Sequence, residues 1–125
     1  MRVVRNKQYK LIKNLNYKMP YPIATDIFAS STFLDLLNRT KTGQPTGWFK
    51  TLTEYYYRDQ WELYDIQNDP EELKNLAYDP NYLELLMDMQ KQLEVWRDAT
   101  ADPWICYPQG VLEGSTCYDL DNDTA

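Results

Sequence analysis

The chain has 125 residues, of which 43% are hydrophobic and 14% aromatic, and its formal net charge is −6. This composition is typical of a folded protein and excludes an intrinsically disordered chain. The length predicts a single domain, and no apolar run is long enough for a membrane span, so we expect no membrane partner. The N-terminal "MRVVRNKQYK" also lacks the apolar stretch of a signal peptide.

The charged side chains that precede Asp26 are all basic: Arg2, Arg5, Lys7, Lys10, Lys13 and Lys18. A basic segment of this kind can bind a polyanion such as a nucleic acid. Basic side chains on the solvent face of an edge hairpin also stop that edge from pairing with other chains. We favour this structural interpretation and predict no nucleic-acid partner.

The first predicted element is an antiparallel hairpin in "RVVRNKQYKLIKN". Its strands are expected at residues 3–4 and 9–12, with a polar turn at Asn6 and Lys7.

A helix is predicted in "SSTFLDLLNRT", where Ser30 or Ser31 can act as the N-cap. Phe33, Leu36 and Leu37 would share its apolar face. The glycines and proline of "TGQPTGWFK" then predict a loop.

Strand-favouring aromatic residues fill "TLTEYYYRDQWELYD". Trp61 and Leu63 alternate with Glu62 and Tyr64, the pattern of a strand with one buried face. Beyond this strand, "NDPEELKNLA" predicts a helix with Asp69 as N-cap and Glu72 completing a capping box.

A longer helix is predicted to begin at Asp79-Pro80 and to lie across the sheet. Its apolar face is a stripe with spacings of three and four residues: Tyr82, Leu86, Met89, Leu93 and Trp96.

The residues favour no catalytic site. The chain has no histidine, the commonest general base and metal ligand. Glu71 and Glu72 are explained by helix capping, and "DLDND" near the end lacks the glycine and glutamate of an EF-hand loop. Cys106 and Cys117 would form a local disulfide in an oxidising compartment and be free thiols in the cytosol.

Several long motifs resemble the C-terminal part of sulfatases. "WELYDIQNDPEELKNLA" resembles their strand, turn and Asp-Pro-capped helix, and "RVVRNKQYKLIKNLN" resembles the basic hairpin that precedes it. Within this family, the lysosomal sulfamidases are the most similar, through "NLNYKMPYPI", "FLDLLNRTKTGQPTGW", "YYYRDQWELYD" and "DPWICYPQGVLE". The resemblance covers residues 1 to about 117.

The resemblance implies an α+β fold, with a small antiparallel sheet of about four strands packed against a long C-terminal helix. Residues 1–125 would be a single C-terminal subdomain, with 118–125 a frayed acidic tail. The larger catalytic α/β domain would be absent from this chain. In the family that domain holds calcium and the cysteine that becomes formylglycine.

The resemblance also assigns individual residues. It implies no catalytic or metal residue here, because the "CYPQG" at Cys106 has Gly110 where the formylglycine motif needs arginine. It implies a disulfide between Cys106 and Cys117 and N-glycosylation at Asn38. The second sequon, at Asn122, has no counterpart in the family.

The function implied by resemblance is that of a sulfamidase-like hydrolase, which removes N-linked sulfate from glucosamine in heparan sulfate. This chain would support the catalytic domain of a lysosomal, homodimeric parent. The alternative is a non-enzymatic, secreted module that binds sulfated glycans. In the first case we expect an exposed apolar surface at Trp48, Phe49 and residues 55–57.

Overall fold

The computed structural model describes residues 1–119 and has the predicted α+β fold. The chain divides into two compact units. Unit 1 comprises Met1–Asn16 and the chain from Gln60 onward, and unit 2 comprises Tyr17–Asp59. No helix in the described part of the chain is long and apolar enough to cross a lipid bilayer.

Unit 1 contains a three-stranded antiparallel sheet made of β1 (Arg2–Arg5), β2 (Tyr9–Lys13) and β3 (Trp61–Asp65), in that order. This confirms the predicted hairpin and the third strand. The Asn6 carboxamide fixes the hairpin turn, because its oxygen accepts hydrogen bonds from the backbone N–H groups of Gln8 and Tyr9, at 2.8 and 2.6 Å.

The last half of β3 is covered on both faces. Leu63, Tyr64 and Asp65 are all buried, although adjacent strand residues point to opposite sides of a sheet. The alternating pattern predicted only one buried face. The core of unit 1 forms around Leu63, together with Leu11, Leu76, Ala77, Leu86 and Met89.

The predicted helix after Asp69 does not form. Glu72 has φ of 55°, in the left-handed region, so the chain turns away from a helical path. The Asp69 carboxylate instead accepts hydrogen bonds from the N–H groups of Leu73 and Lys74, at 3.1 and 2.9 Å. Asp69 is therefore a capping residue as predicted, but it stabilises a turn and not a helix. The Glu72 carboxylate bonds Lys10.

The long helix forms as predicted, as a 3₁₀ turn at Pro80–Tyr82 followed by α4 (Leu83–Ala99). The Asp79 carboxylate caps it by accepting a hydrogen bond from Asn81 N–H at 3.0 Å. Its buried residues are Leu86, Met89, Leu93 and Arg97. The predicted end of the stripe was wrong, because Trp96 is 51% exposed and the charged Arg97 takes the inward position.

Unit 1 ends in a second hairpin, β4 (Gly110–Glu113) paired with β5 (Thr116–Asp119). Residues 118 and 119, which the sequence assigns to an acidic tail, therefore belong to a strand. The remaining tail, residues 120–125 with Asn122, lies outside the described residues.

Unit 2 contains three helices: α1 (Thr25–Phe28), α2 (Ser31–Thr42) and α3 (Leu52–Tyr56). Ser30 caps α2 as predicted, since its hydroxyl accepts a hydrogen bond from Phe33 N–H at 3.2 Å. The helix ends at Gly43, whose φ of 67° favours glycine.

The strand expected from the tyrosines was wrong, because Leu52–Tyr56 form helix α3. Thr51 and Glu54 form a complete capping box, with Glu54 N–H donating to the Thr51 hydroxyl and Thr51 N–H donating to the Glu54 carboxylate. These reciprocal bonds start a helical turn that overrides the strand propensity of Tyr55 and Tyr56. The Thr-x-x-Glu spacing was the signal in the sequence that could have predicted it.

Candidate functional site

A buried ionic cluster joins the start of β1 to the end of α4. Arg97 is fully buried, and its guanidinium donates to the Asp102 carboxylate at 2.9 Å, to both oxygens of Glu94 at 3.0 and 2.9 Å, and to the Trp104 carbonyl at 2.6 Å. Arg2 completes the cluster with two bonds to Asp102, at 2.8 and 2.6 Å.

These partners determine the charge state of Asp102. The hydrogen bond from the Arg2 guanidinium, with the further bond from Arg97, holds the pKa of the Asp102 carboxyl well below its usual range. Trp104 N–H also donates to this carboxylate, at 3.1 Å. Each carboxylate oxygen of Asp102 accepts two hydrogen bonds, so neither has a lone pair left for a metal or a substrate. The cluster therefore has a structural role and stabilises the fold.

Basic side chains of the first hairpin also bond acidic neighbours. Lys13 bonds Glu94 at 2.7 Å, Lys10 bonds Glu72, and Arg2 bonds Asp102. Three of the six basic side chains before Asp26 are therefore engaged in ion pairs within unit 1. The protection of the hairpin edge from other chains stays a prediction.

The two cysteines are bonded to each other, and the carboxylates of the described residues form no cluster of the metal-ligand type. Cys106 and Cys117 are joined in a disulfide with their Cα atoms 5.5 Å apart. Between residues 1 and 119, no three histidine, cysteine, aspartate or glutamate side chains converge in a way that could hold a metal ion. These residues thus fit neither calcium nor a formylglycine precursor.

The predicted glycosylation residue Asn38 is exposed on α2. The Thr40 hydroxyl of its sequon donates to the Leu36 carbonyl at 2.8 Å. Asn38 is thus accessible on the surface, and its modification stays a prediction.

Unit 2 carries an aromatic cluster beside a groove. We call Ile27, Phe28, Phe33, Trp48, Phe49 and Tyr55 the aromatic face. Tyr55 is central, with its ring centroid 5.3 Å from that of Trp48 and 6.5 Å from that of Phe33. The groove measures about 450 Å³ and is lined by Ile27, Phe33, Trp48 and Tyr55 among others.

The predicted apolar surface is present in part. Phe49 is 65% exposed and Tyr57 is 53% exposed. Trp48, Tyr55 and Tyr56 are half-buried, because stacking of their rings covers part of each one.

Comparison with known proteins indicates the class of protein to which this chain belongs. The family model for N-sulphoglucosamine sulphohydrolase, C-terminal, matches residues 35–99. Human N-sulphoglucosamine sulphohydrolase is 52% identical over 98% of this chain. An ulvan-active sulfatase of Formosa agariphila is 32% identical over 82% of the chain, and a second one is 28% identical over 98%.

The α+β fold and these relatives define the C-terminal subdomain of a sulfatase-like hydrolase. More particularly, the chain belongs to the family of N-sulphoglucosamine sulphohydrolase C-terminal domains. It spans 25% of the length of the human relative and 17% and 23% of the lengths of the two ulvan-active sulfatases.

Proposed function

We propose that this chain is the C-terminal subdomain of a hydrolase that removes N-linked sulfate from glucosamine in heparan sulfate. The supporting observation is the 52% identity to human N-sulphoglucosamine sulphohydrolase across nearly the whole chain. The subdomain supports a catalytic domain of the same polypeptide and performs no chemistry itself.

The catalytic groups of the parent belong to the part of the polypeptide outside this chain. By resemblance these are a calcium ion, which stabilises developing negative charge, and a formylglycine that acts as the nucleophile. The two cysteines of this chain are bonded to each other, so neither thiol is available as a formylglycine precursor.

The parent is a homodimeric glycoprotein of the lysosome that travels through the secretory pathway. A disulfide between Cys106 and Cys117 is suited to that oxidising route. The exposed sequon at Asn38 is suited to glycosylation there.

A domain exchange tests the proposal. The matching quarter of human N-sulphoglucosamine sulphohydrolase is replaced by this chain, and hydrolysis of an N-sulfated glucosamine is measured. We expect activity within about tenfold of the human enzyme, a loss of about 1.4 kcal/mol at most, since 52% of the aligned positions of the exchanged subdomain are identical. The same hybrid carrying Leu93→Asp, which places a charge in the core of unit 1, is the misfolded control.

A hybrid that is secreted and folded but inactive would contradict the proposal. So would tight, salt-sensitive binding of heparan sulfate by the isolated chain together with an inactive hybrid, because that pair of results identifies the alternative glycan-binding module.

A further inference from the structure

We propose that the aromatic face of unit 2 is the surface on which the remainder of the parent polypeptide docks. This inference rests on the proposed function, since it requires a parent with a catalytic domain. It assigns the docking to the aromatic face of residues 17–59 and not to the sheet of unit 1.

Unit 2 has almost no core of its own. Phe33 is its single buried side chain between residues 17 and 59. Its exposed large apolar side chains are Met19, Tyr21, Ile27, Phe28, Leu34, Phe49 and Tyr57. Within the aromatic face the rings of Phe28, Phe33, Tyr55, Trp48 and Phe49 contact one another in that order. Contiguous apolar surface marks an interaction site, because it is costly to leave in contact with water.

The chemistry of the groove fits a protein partner. Asp35 is the one carboxylate in its lining, and this side chain is paired with Arg39 at 2.7 Å. Aromatic side chains without net charge are typical of the centre of a protein interface. A sulfated glycan would instead require basic side chains, and the groove lining has none.

Unit 2 is also close to neutral in an acidic chain. Residues 17–59 contain five basic and four acidic side chains, whereas the whole chain has a net charge of −6. Long-range repulsion therefore does not oppose the approach of a large partner to this unit.

The length of the relatives identifies the occupant. The chain matches only 25% of human N-sulphoglucosamine sulphohydrolase, so most of a parent of that length lies outside it. A tethered domain is present at a high effective concentration, which favours it over a second copy of the chain as the partner that covers the groove. We therefore assign the groove to apolar side chains of the parent's own catalytic domain.

Hydrogen exchange in the hybrid of the human enzyme and this chain tests the assignment. Backbone amides of residues 47–57 are compared between the isolated chain and the hybrid described above. We expect exchange at least about tenfold slower in the hybrid, because docking excludes water from this segment. In the hybrid, Phe28→Ser combined with Phe49→Ser should return the exchange toward the rate of the isolated chain.

The matched control is Met87→Ser combined with Val95→Ser, two side chains of α4 that are each 60% exposed, similar to Phe49. These changes remove a similar apolar area from unit 1 and should leave exchange at residues 47–57 unchanged. Restored exchange in this control to the same extent would overturn the assignment, since the effect would then be general loss of apolar surface.

Two further results would overturn it. One is an active hybrid in which residues 47–57 exchange as fast as in the isolated chain. The other is slow exchange in the isolated chain that depends on its concentration, which would make a second copy the occupant. An inactive hybrid with slowed exchange rejects the proposed activity but supports the docking surface, so the two proposals fail separately.

Discussion

At the scale of single residues, the most informative position is Arg97. A fully buried arginine is costly unless its charge and all its donors are satisfied, and here Glu94, Asp102 and the Trp104 carbonyl satisfy them. The stripe in the sequence pointed to Trp96, because tryptophan is the more apolar residue. The ion pair of Arg97 with Asp102 reverses that preference, and Asp102 is itself bonded by Arg2, 100 residues earlier in the chain.

Asp102→Asn should strongly destabilise the fold. Asparagine is similar in shape, but it leaves the Arg97 charge buried with fewer anionic partners. We expect a loss of about 3 kcal/mol in the free energy of unfolding, measured by urea denaturation. Asp35→Asn is the control, because its exposed pair with Arg39 on α2 should contribute less than about 0.5 kcal/mol. Equal effects of the two changes on the free energy of unfolding would show that Asp102 has no special role in stabilising the fold.

The same carboxylate predicts a pH dependence. Its pKa in the folded state lies below the ordinary value of 3.8. The stabilisation is therefore complete above pH 3.8, including mildly acidic conditions, and is lost as the pH falls through the lowered pKa. Urea midpoints of the wild type and Asp102→Asn should differ equally at about pH 7 and about pH 5, and the difference should shrink as the pH falls below 3.8. A difference that shrinks already between the two higher pH values would contradict the lowered pKa.

At the scale of elements, the turn after β3 acts as a partner for its edge. The Asn75 side chain accepts from Leu63 N–H at 2.9 Å and donates to the Trp61 carbonyl at 3.0 Å. Leu76 N–H donates to the Leu63 carbonyl at 2.8 Å. The segment predicted as a helix thus provides hydrogen-bond partners for backbone groups of β3 that lie beside buried residues.

Asn75→Ala should cost about 1 to 3 kcal/mol in the free energy of unfolding, because it removes the side-chain partner of two strand groups beside the core. Thermal and urea unfolding would measure this. Asn81→Ala serves as control, since Asn81 is exposed and bonds only the nearby Asp79 among the contacts described here. A smaller effect at Asn75 than at Asn81 would refute the role of the turn.

The β4–β5 hairpin depends on its covalent link. Every residue from 111 to 118 is exposed, so little apolar burial holds the hairpin, whereas the disulfide connects Cys117 to the buried Cys106. We expect non-reducing peptide maps of protein made in an oxidising compartment to contain the crosslinked peptide. Recovery of two free thiols from such material would contradict it.

Reduction of this bond should lower the free energy of unfolding by about 3 kcal/mol, from the entropy of the closed loop. It should also speed amide exchange at residues 110–119 more than at residues 83–99, because α4 keeps its core contacts. Unchanged exchange in the hairpin after complete reduction would show that other contacts hold it.

At the scale of the whole molecule, the isolated chain should have no hydrolase activity. Its described residues offer neither a metal cluster nor a free cysteine. The assay uses a chromogenic sulfate ester and an N-sulfated glucosamine, with calcium added and a mock purification as control. Turnover above that control would place catalytic groups in this chain and contradict the proposed division of roles.

Much of this molecule was determined by the sequence alone, because local signals were strong there. Alternation of apolar and polar residues predicted β3, and an Asn-Lys turn predicted the first hairpin. Side-chain caps at Ser30 and Asp79 set the starts of two helices. The long motifs also carried the sulfatase resemblance, which the family match to residues 35–99 confirms.

Tertiary structure decided the conformation of segments in which local sequence signals conflict with contacts to residues far away in the sequence. Asp69 and Glu72 fit a capping box, but Leu76 and Ala77 enter the core, and the chain forms a turn there instead of a helix. Arg97 is buried because Asp102 neutralises and bonds it, and Asp102 is in turn bonded by Arg2, which is distant in the sequence. Such choices depend on groups far apart in sequence, and only the folded chain brings those groups within bonding distance.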